Sequence, residues 1–281
     1  ELKQKLEAMP SNDQVFADVL NQSRVVLGQT AYQEEIVGAT ELPRTTPLAF
    51  IGGDPRPYLW FYPAAVGNTP ILAKAAPGRG IQMRAGRLIF PVYSRQPDQD
   101  YSHLLSSNDH GKTWQISSSA ARMVNECQVA ELKDGSLMLN MRSYRAKGCR
   151  AVATTNDGGK TWGQIVDDTN LPEPTCQASL IRYTDTRDGF TRDRLLFVNP
   201  ANSSQRVNMT IRLSYDEGKT WPIAKVLHPG PSAYSCLTVL KDGTIGLLYE
   251  NGRESPYEKL TFARFDLQWL TDGQDRIDKK K

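Results

Sequence analysis

The sequence predicts an all-β chain of repeated blades, a β-propeller, on three observations. One eight-residue pattern occurs three times: Ser107-Asn-Asp-His-Gly-Lys-Thr-Trp114, Thr155-Asn-Asp-Gly-Gly-Lys-Thr-Trp162 and Ser214-Tyr-Asp-Glu-Gly-Lys-Thr-Trp221. Each reads as a hairpin tip: short hydroxyl and carboxylate side chains bond backbone N–H groups across a turn, Gly supplies positive φ, and Trp anchors the tip by packing. The copies start at residues 107, 155 and 214, spaced by 48 and 59, close to the roughly 40 to 50 residues of a four-stranded blade. One tip per blade is expected. From about residue 46 onward, short apolar runs alternate with turn signals, as strands do.

The elements follow in order. Residues 1–45 carry Leu2, Leu6, Val15, Phe16, Val19 and Leu20 at near-helical spacing and predict a helical segment followed by a connector. Residues 46–271 are the blade-forming region. Within it Arg87-Leu-Ile-Phe-Pro-Val-Tyr93, Ser136-Leu-Met-Leu-Asn-Met-Arg142 and Thr244-Ile-Gly-Leu-Leu-Tyr249 read as strands. Lys133-Asp-Gly135 and Lys241-Asp-Gly243 carry hairpin-turn chemistry. Phe265-Asp-Leu-Gln-Trp-Leu270 reads as a last strand, and residues 272–281 as a charged, solvated tail.

With 281 residues, 39% of them hydrophobic and 23% charged, the chain has enough apolar content for a substantial core. Thirty-four basic against 31 acidic residues give a net charge of +3, too balanced for a nucleic-acid footprint and suited to an anionic substrate. No stretch approaches the roughly 18 apolar residues of a membrane span, and the opening ELKQKLEAMP lacks an apolar signal core. Cys127, Cys149, Cys176 and Cys236 lack the paired spacing of zinc sites. Either two disulfides or free thiols are open to them, with buried free thiols the favoured reading. His103, His110 and His228 show no ligand spacing. Neither a metal nor an organic cofactor is expected.

The repeated tip resembles the Asp-box of sialidases and other Asp-box propellers. Structural work in the turn accounts for the Asp, Gly and Trp of each box, so Asp109, Asp157 and Asp216 are read as turn formers rather than catalysts. A more specific resemblance lies between the boxes. Asn125-Glu-Cys-Gln128, the strand ending in Arg142, Gln205-Arg-Val-Asn208, Ser232-Ala-Tyr-Ser235 and Leu248-Tyr-Glu250 match sialidase segments in order and spacing. Pro77-Gly-Arg-Gly-Ile-Gln-Met, Gly86-Arg-Leu and Pro174-Thr-Cys-Gln-Ala-Ser179 extend the similarity over residues from about 77 to 271. The resemblance implies a six-bladed propeller that releases terminal α-linked sialic acid from glycoconjugates with retention of configuration.

It also implies roles. Arg142 and Arg206 look like two members of the family's three-arginine clamp, since a guanidinium meets the sugar's carboxylate through paired hydrogen bonds. That carboxylate would repel an acidic nucleophile, and sialidases use tyrosine instead. Tyr234 resembles this nucleophile, Glu126 the base that takes its proton, and Glu250 the carboxylate supporting a clamp arginine. Taken singly, each has a plain rival: an exposed strand-end cation, a core aromatic, a solvated loop carboxylate. Arg145, Arg150, Arg212 and Arg253 are expected to be surface or box-flanking charges.

The resemblance breaks at the N-terminal side. The family's Arg-Ile-Pro segment and the later acid/base Asp have no evident counterpart. Leu42-Pro-Arg-Thr-Thr-Pro47 and Asp54-Pro-Arg-Pro57 lack the motif and lie closer to Glu126 than the family expects. Three explanations stay open: a fragment of a longer sialidase, parts supplied by another chain, or a reduced propeller. A binding propeller that holds sialoglycans without turnover and a trans-sialidase are the alternative functions. An incomplete ring exposes a sheet edge, so self-association or a complementing chain is a further expectation. For a bacterial protein of this kind an extracytoplasmic location is expected.

Overall fold

In the computed structural model, residues 60–61, 73–95 and 99–279 are described. The expected N-terminal helix and connector, and the two Arg-Pro segments, lie outside them. The described residues form antiparallel sheets throughout. Blade one holds β1 (Trp60–Phe61), β2 (Ala73–Ala75), β3 (Ile81–Gln82), β4 (Leu88–Arg95), β5 (Asp100–Ser107), β6 (Gln115–Ile116) and β7 (Ala121–Arg122). Blade two is the four-stranded meander β8 (Val124–Glu131), β9 (Leu137–Ser143), β10 (Cys149–Thr155) and β11 (Val166–Pro172). Blade three comprises β12 (Ser179–Thr184), β13 (Arg194–Pro200), β14 (Val207–Ser214) and the first half of β15 (Ile223–Val239). β15 pairs with β14 through Pro231 and with β16 (Ile245–Asn251) from Ser232, so its second half opens blade four, completed by β17 (Lys259–Phe265).

The cores lie between blades, and strand alternation explains how. Side chains on a strand point to opposite faces with period two. On β13, Leu195 and Phe197 join the cluster shared with blade two, whereas Leu196 and Val198 join the one shared with blade four. On β9, Leu137, Leu139 and Met141 face blade one while Met138 faces blade three. A blade covered on both faces therefore carries a continuous apolar run, as Leu195-Leu-Phe-Val198 does within β13, a strand buried along its whole length. Blade four departs from this: Leu260 and Phe262 on β17 stay exposed.

Each of the first three blades carries one Asp-box, which joins β5 to β6 in blade one and the third strand to the fourth in blades two and three. In the second, Thr155 Oγ donates to Asp157 Oδ1 at 2.8 Å, and Gly159 N donates to Thr155 Oγ at 2.9 Å. Thr161 donates to Asp157 through its N–H at 3.0 Å and its hydroxyl at 2.6 Å. The same bonds recur around Asp109 and Asp216. Hydrogen bonds from the Thr hydroxyl and backbone hold the Asp109 carboxyl down at about 2. Gly111, Gly159 and Gly218 sit at φ +86°, +89° and +80°, where a Cβ is strained.

The box tips also join blades. Trp162 Nε1 donates to Ser118 O of blade one at 3.1 Å, and Trp221 joins the cluster that holds Ala130, Leu132 and Met138 of blade two. Glu217 accepts Lys133 N at 2.8 Å and pairs with Arg182, tying the third tip to the Lys133-Asp-Gly turn of blade two. Asp157→Ala is expected to lower the melting temperature by a few degrees with activity per folded molecule retained. Calorimetry beside a rate assay checks this, and an inactive variant that melts like wild type contradicts it.

Two expectations for the C-terminal part change. The strand ends at Phe265, and Leu267–Leu270 is one helical turn, α1, capped by Asp266, which accepts Trp269 N at 2.7 Å. The stretch read as a solvated tail packs on blade three. Asp275 pairs in two bonds with the fully buried Arg194, at 2.8 and 2.7 Å, and accepts from Tyr215. Ile277 rests on the neighbouring core. A buried guanidinium requires a counter-charge, and this stretch provides it.

Candidate functional site

The meander sorts the chain's chemistry to one end. In an antiparallel sheet the first-to-second and third-to-fourth turns share one edge, while the start of strand one, the end of strand two and the start of strand three share the other. The boxes and Lys-Asp-Gly turns take the first edge. Glu126 near the start of β8, Arg142 near the end of β9, Arg206 just before β14, Tyr234 at the start of blade four and Glu250 near the end of β16 take the second.

Two β-bulges aim the central pair. Val124 pairs with Ser143 but Cys127 with Met141, so Asn125 and Glu126 together face Arg142. Ser232 pairs with Asn251 but Ser235 with Tyr249, so Ala233 and Tyr234 together face Glu250. Bulges redirect side chains in this way. Glu126 to Arg142 and Tyr234 to Glu250 are each separated by 16 residues. The same hairpin device, used in blades two and four, places a carboxylate and a phenol toward each other.

The contacts are direct. Tyr234 Oη donates to Glu126 Oε1 at 2.5 Å, Arg142 Nη1 donates to Glu126 Oε2 at 2.6 Å, and Arg142 Nη1 also lies 3.2 Å from the Tyr234 oxygen. Glu250 accepts the backbone N–H of Tyr234 at 3.0 Å. Among the described residues Glu250 holds the tyrosine's backbone and meets no arginine. Ser235, the next residue, is held on both its N–H and C=O by the Gln177 amide, each at 2.9 Å. Arg206 stacks over the Tyr234 ring at 5.8 Å and donates to Tyr257 Oη at 2.6 Å and Thr175 O at 3.2 Å. All five residues singled out from the sequence therefore lie in one cluster.

Burial, then the negative charge of Glu126 and the hydrogen bond to it, push the Tyr234 phenol well above its ordinary value; Arg142 opposes this. The resting phenol is neutral and donating. Burial disfavours charge on Arg142, yet the Glu126 carboxylate more than offsets it and raises the guanidinium further. The centre is thus a carboxylate with one oxygen bonded to a cation and the other to a phenolic O–H. It can take a proton from the phenol as the phenolic oxygen attacks an electrophile held nearby.

Two of the arginines expected to be surface or box-flanking charges are buried. Arg150 is wholly enclosed and bonded to Glu173, Asn140 and Cys176 O, and Arg212 is 8% exposed, with Asn199 Oδ1 at 3.4 Å. Arg145 pairs with Asp167 at 2.8 Å near the surface, and Arg253 is exposed. Asn125 was not singled out as a separate site residue. Its amide donates to Asp100 at 2.9 Å and to Tyr144 Oη at 3.3 Å, and its Oδ1 accepts Glu126 N at 2.8 Å. Cys127, Cys149 and Cys176 are free thiols and buried. Burial pushes Cys127 and Cys176 up to about 12. Among the described residues no cluster of His, Cys, Asp and Glu could hold a metal, and no helix is long and apolar enough to cross a membrane.

Fold and site define a bladed β-protein with a tyrosine–carboxylate–guanidinium centre on the face opposite its turn repeats. The chain belongs to the BNR repeat-like domain family, whose model matches residues 55–247, and within it to the sialidases. It is 41% identical over 203 residues to a sialidase of Micromonospora viridifaciens, a match covering 70% of this chain and 31% of that protein. It is 42% identical over 183 residues to a sialidase of Bacteroides fragilis strain YCH46, covering 62% of this chain and 33% of that one. The chain thus spans about a third of the length of these curated relatives. Among solved structures, Hadza microbial sialidase Hz136 superposes with a TM-score of 0.65 at 38% identity, covering 76% of this chain and 45% of that one. The architecture is the sialidase-type β-propeller.

Proposed function

We propose that the chain carries the nucleophile side of an exo-α-sialidase site, which hydrolyses terminal α-linked sialic acid from glycoconjugates with retention. The observation that carries this reading is Glu126, whose two carboxylate oxygens accept from Tyr234 at 2.5 Å and Arg142 at 2.6 Å. Arg142 and Arg206 bind the sugar's carboxylate. The Tyr234 oxygen forms a bond to the anomeric carbon while its proton passes to Glu126 and the bond to the aglycone oxygen breaks. Water then attacks the same carbon and gives up a proton to solvent, equal to the one the departed aglycone oxygen takes up, while the bond to Tyr234 breaks and Glu126 returns its proton to the phenolic oxygen. Two displacements retain configuration.

The third clamp arginine and the acid for the leaving group are assigned to no residue. An aryl α-sialoside tests the reading because its leaving group needs little protonation. Purified protein is expected to release the aryl alcohol and free sialic acid. A folded protein that retains sialosides on a column but releases no product overturns the hydrolase and leaves a binding propeller.

A further inference from the structure

Beneath the cluster, between blades two and three, lies an ion pair sealed from solvent. The side chains of Arg150 and Glu173 are 0% and 1% exposed, with Arg150 Nη1 3.0 Å from Glu173 Oε2. Burial pushes the Glu173 carboxyl up, against the opposing pull of Arg150 and of two backbone N–H groups. Such a pair is a poor source of stability, since desolvating two charges consumes much of their attraction and apolar replacements of similar volume are often neutral or stabilising. Its contacts have a geometric pattern instead.

Glu173 Oε1 accepts Ser143 N, next to Arg142, at 2.6 Å, and Oε2 accepts Cys176 N at 3.2 Å. Arg150 donates to Cys176 O at 2.7 Å, to Asn140 Oδ1 at 2.7 Å, and to the Glu126 carbonyl at 3.5 Å. Both side chains thus hold Cys176, the residue after Thr175. Thr175 sits at φ +53°, a conformation costly for a β-branched side chain. The surroundings must hold it there, and its carbonyl receives Arg206. Its hydroxyl lies 3.3 Å from Ser143 O, closing the link to the Arg142 strand.

We propose that Arg150 and Glu173 are a positioning pair that fixes the separation of Arg142 and Arg206, and so the fit of the clamp to a carboxylate. This rests on the sialidase reading above. The pair acts through Ser143, the neighbour of Arg142, through Cys176, the neighbour of the Thr175 carbonyl that receives Arg206, and through the backbone carbonyl of Glu126.

The test compares binding of methyl α-N-acetylneuraminate, as the free acid and as its C1 methyl ester, by titration calorimetry. Wild type is expected to favour the acid. The double variant Arg150→Met with Glu173→Met, which removes both charges while filling the space, is expected to melt near wild type yet lose at least tenfold of that preference. If it fails to fold, Glu173→Gln takes its place with the same expected loss. A folded variant that keeps the wild-type preference overturns the positioning role. A wild type that binds acid and ester alike refutes the sialic acid reading itself, and the proposal with it, before any variant is compared.

Discussion

Tyr234→Phe is expected to cut turnover of an aryl α-sialoside by roughly a thousandfold or more, because a residue that forms a covalent intermediate has no substitute in its absence. The substitution removes one oxygen and little else. That oxygen donates to Glu126 and lies within 3.2 Å of Arg142. The ring stays beneath Arg206, and the backbone bond to Glu250 does not involve the phenol. Glu126 keeps its bond to Arg142, so the structural cost is confined to one acceptor left unsatisfied, about 1–3 kcal/mol. Because burial and Glu126 hold the resting phenol neutral, the wild-type reaction needs proton transfer to Glu126 as the bond to carbon forms. A phenylalanine variant with wild-type rates would remove Tyr234 from the mechanism, whatever its effect on stability.

What the sequence announced and what it concealed divide along a physical line. The Asp-boxes were legible because every bond in the turn falls within eight residues, so residue type and spacing contain the whole structure. The pairs Glu126 with Arg142 and Tyr234 with Glu250 were legible as a family pattern, and hairpin geometry explains their equal spacing. Bulges at Asn125-Glu126 and Ala233-Tyr234 carry no mark of their own, since a bulge is a mismatch with the opposing strand. Arg150 was misread for the same reason. An isolated arginine is mostly a surface residue, and only the fold brings Glu173 against it. At the end of the chain, Phe265, Leu267 and Trp269 alternate as a strand would. Burial instead falls on Leu267 and Leu270, three apart, with Asp266 capping the turn.

Glu126→Gln separates the carboxylate's chemistry from its role as a partner of Arg142. The amide has nearly the same shape but cannot take the phenolic proton, so kcat is expected to fall by roughly 10²- to 10⁴-fold. Its hydrogen bonds conflict as well. Both Glu126 oxygens accept, one from Tyr234 and one from Arg142, whereas glutamine presents one acceptor and one donor group. One of the two donors must lose its bond, and stability is expected to drop by about 1–3 kcal/mol. Substrate binding should move differently. Arg142 no longer has a carboxylate competing with the sugar's own, so KM is expected to stay level or fall as kcat falls, which marks an interaction needed in the transition state rather than in binding. Steady-state kinetics on the aryl α-sialoside, beside a thermal melt, distinguish the cases. An anchor for Arg142 and nothing more would give the reverse: a raised KM with kcat nearly unchanged, because loss of the anchor loosens the clamp while leaving proton transfer intact.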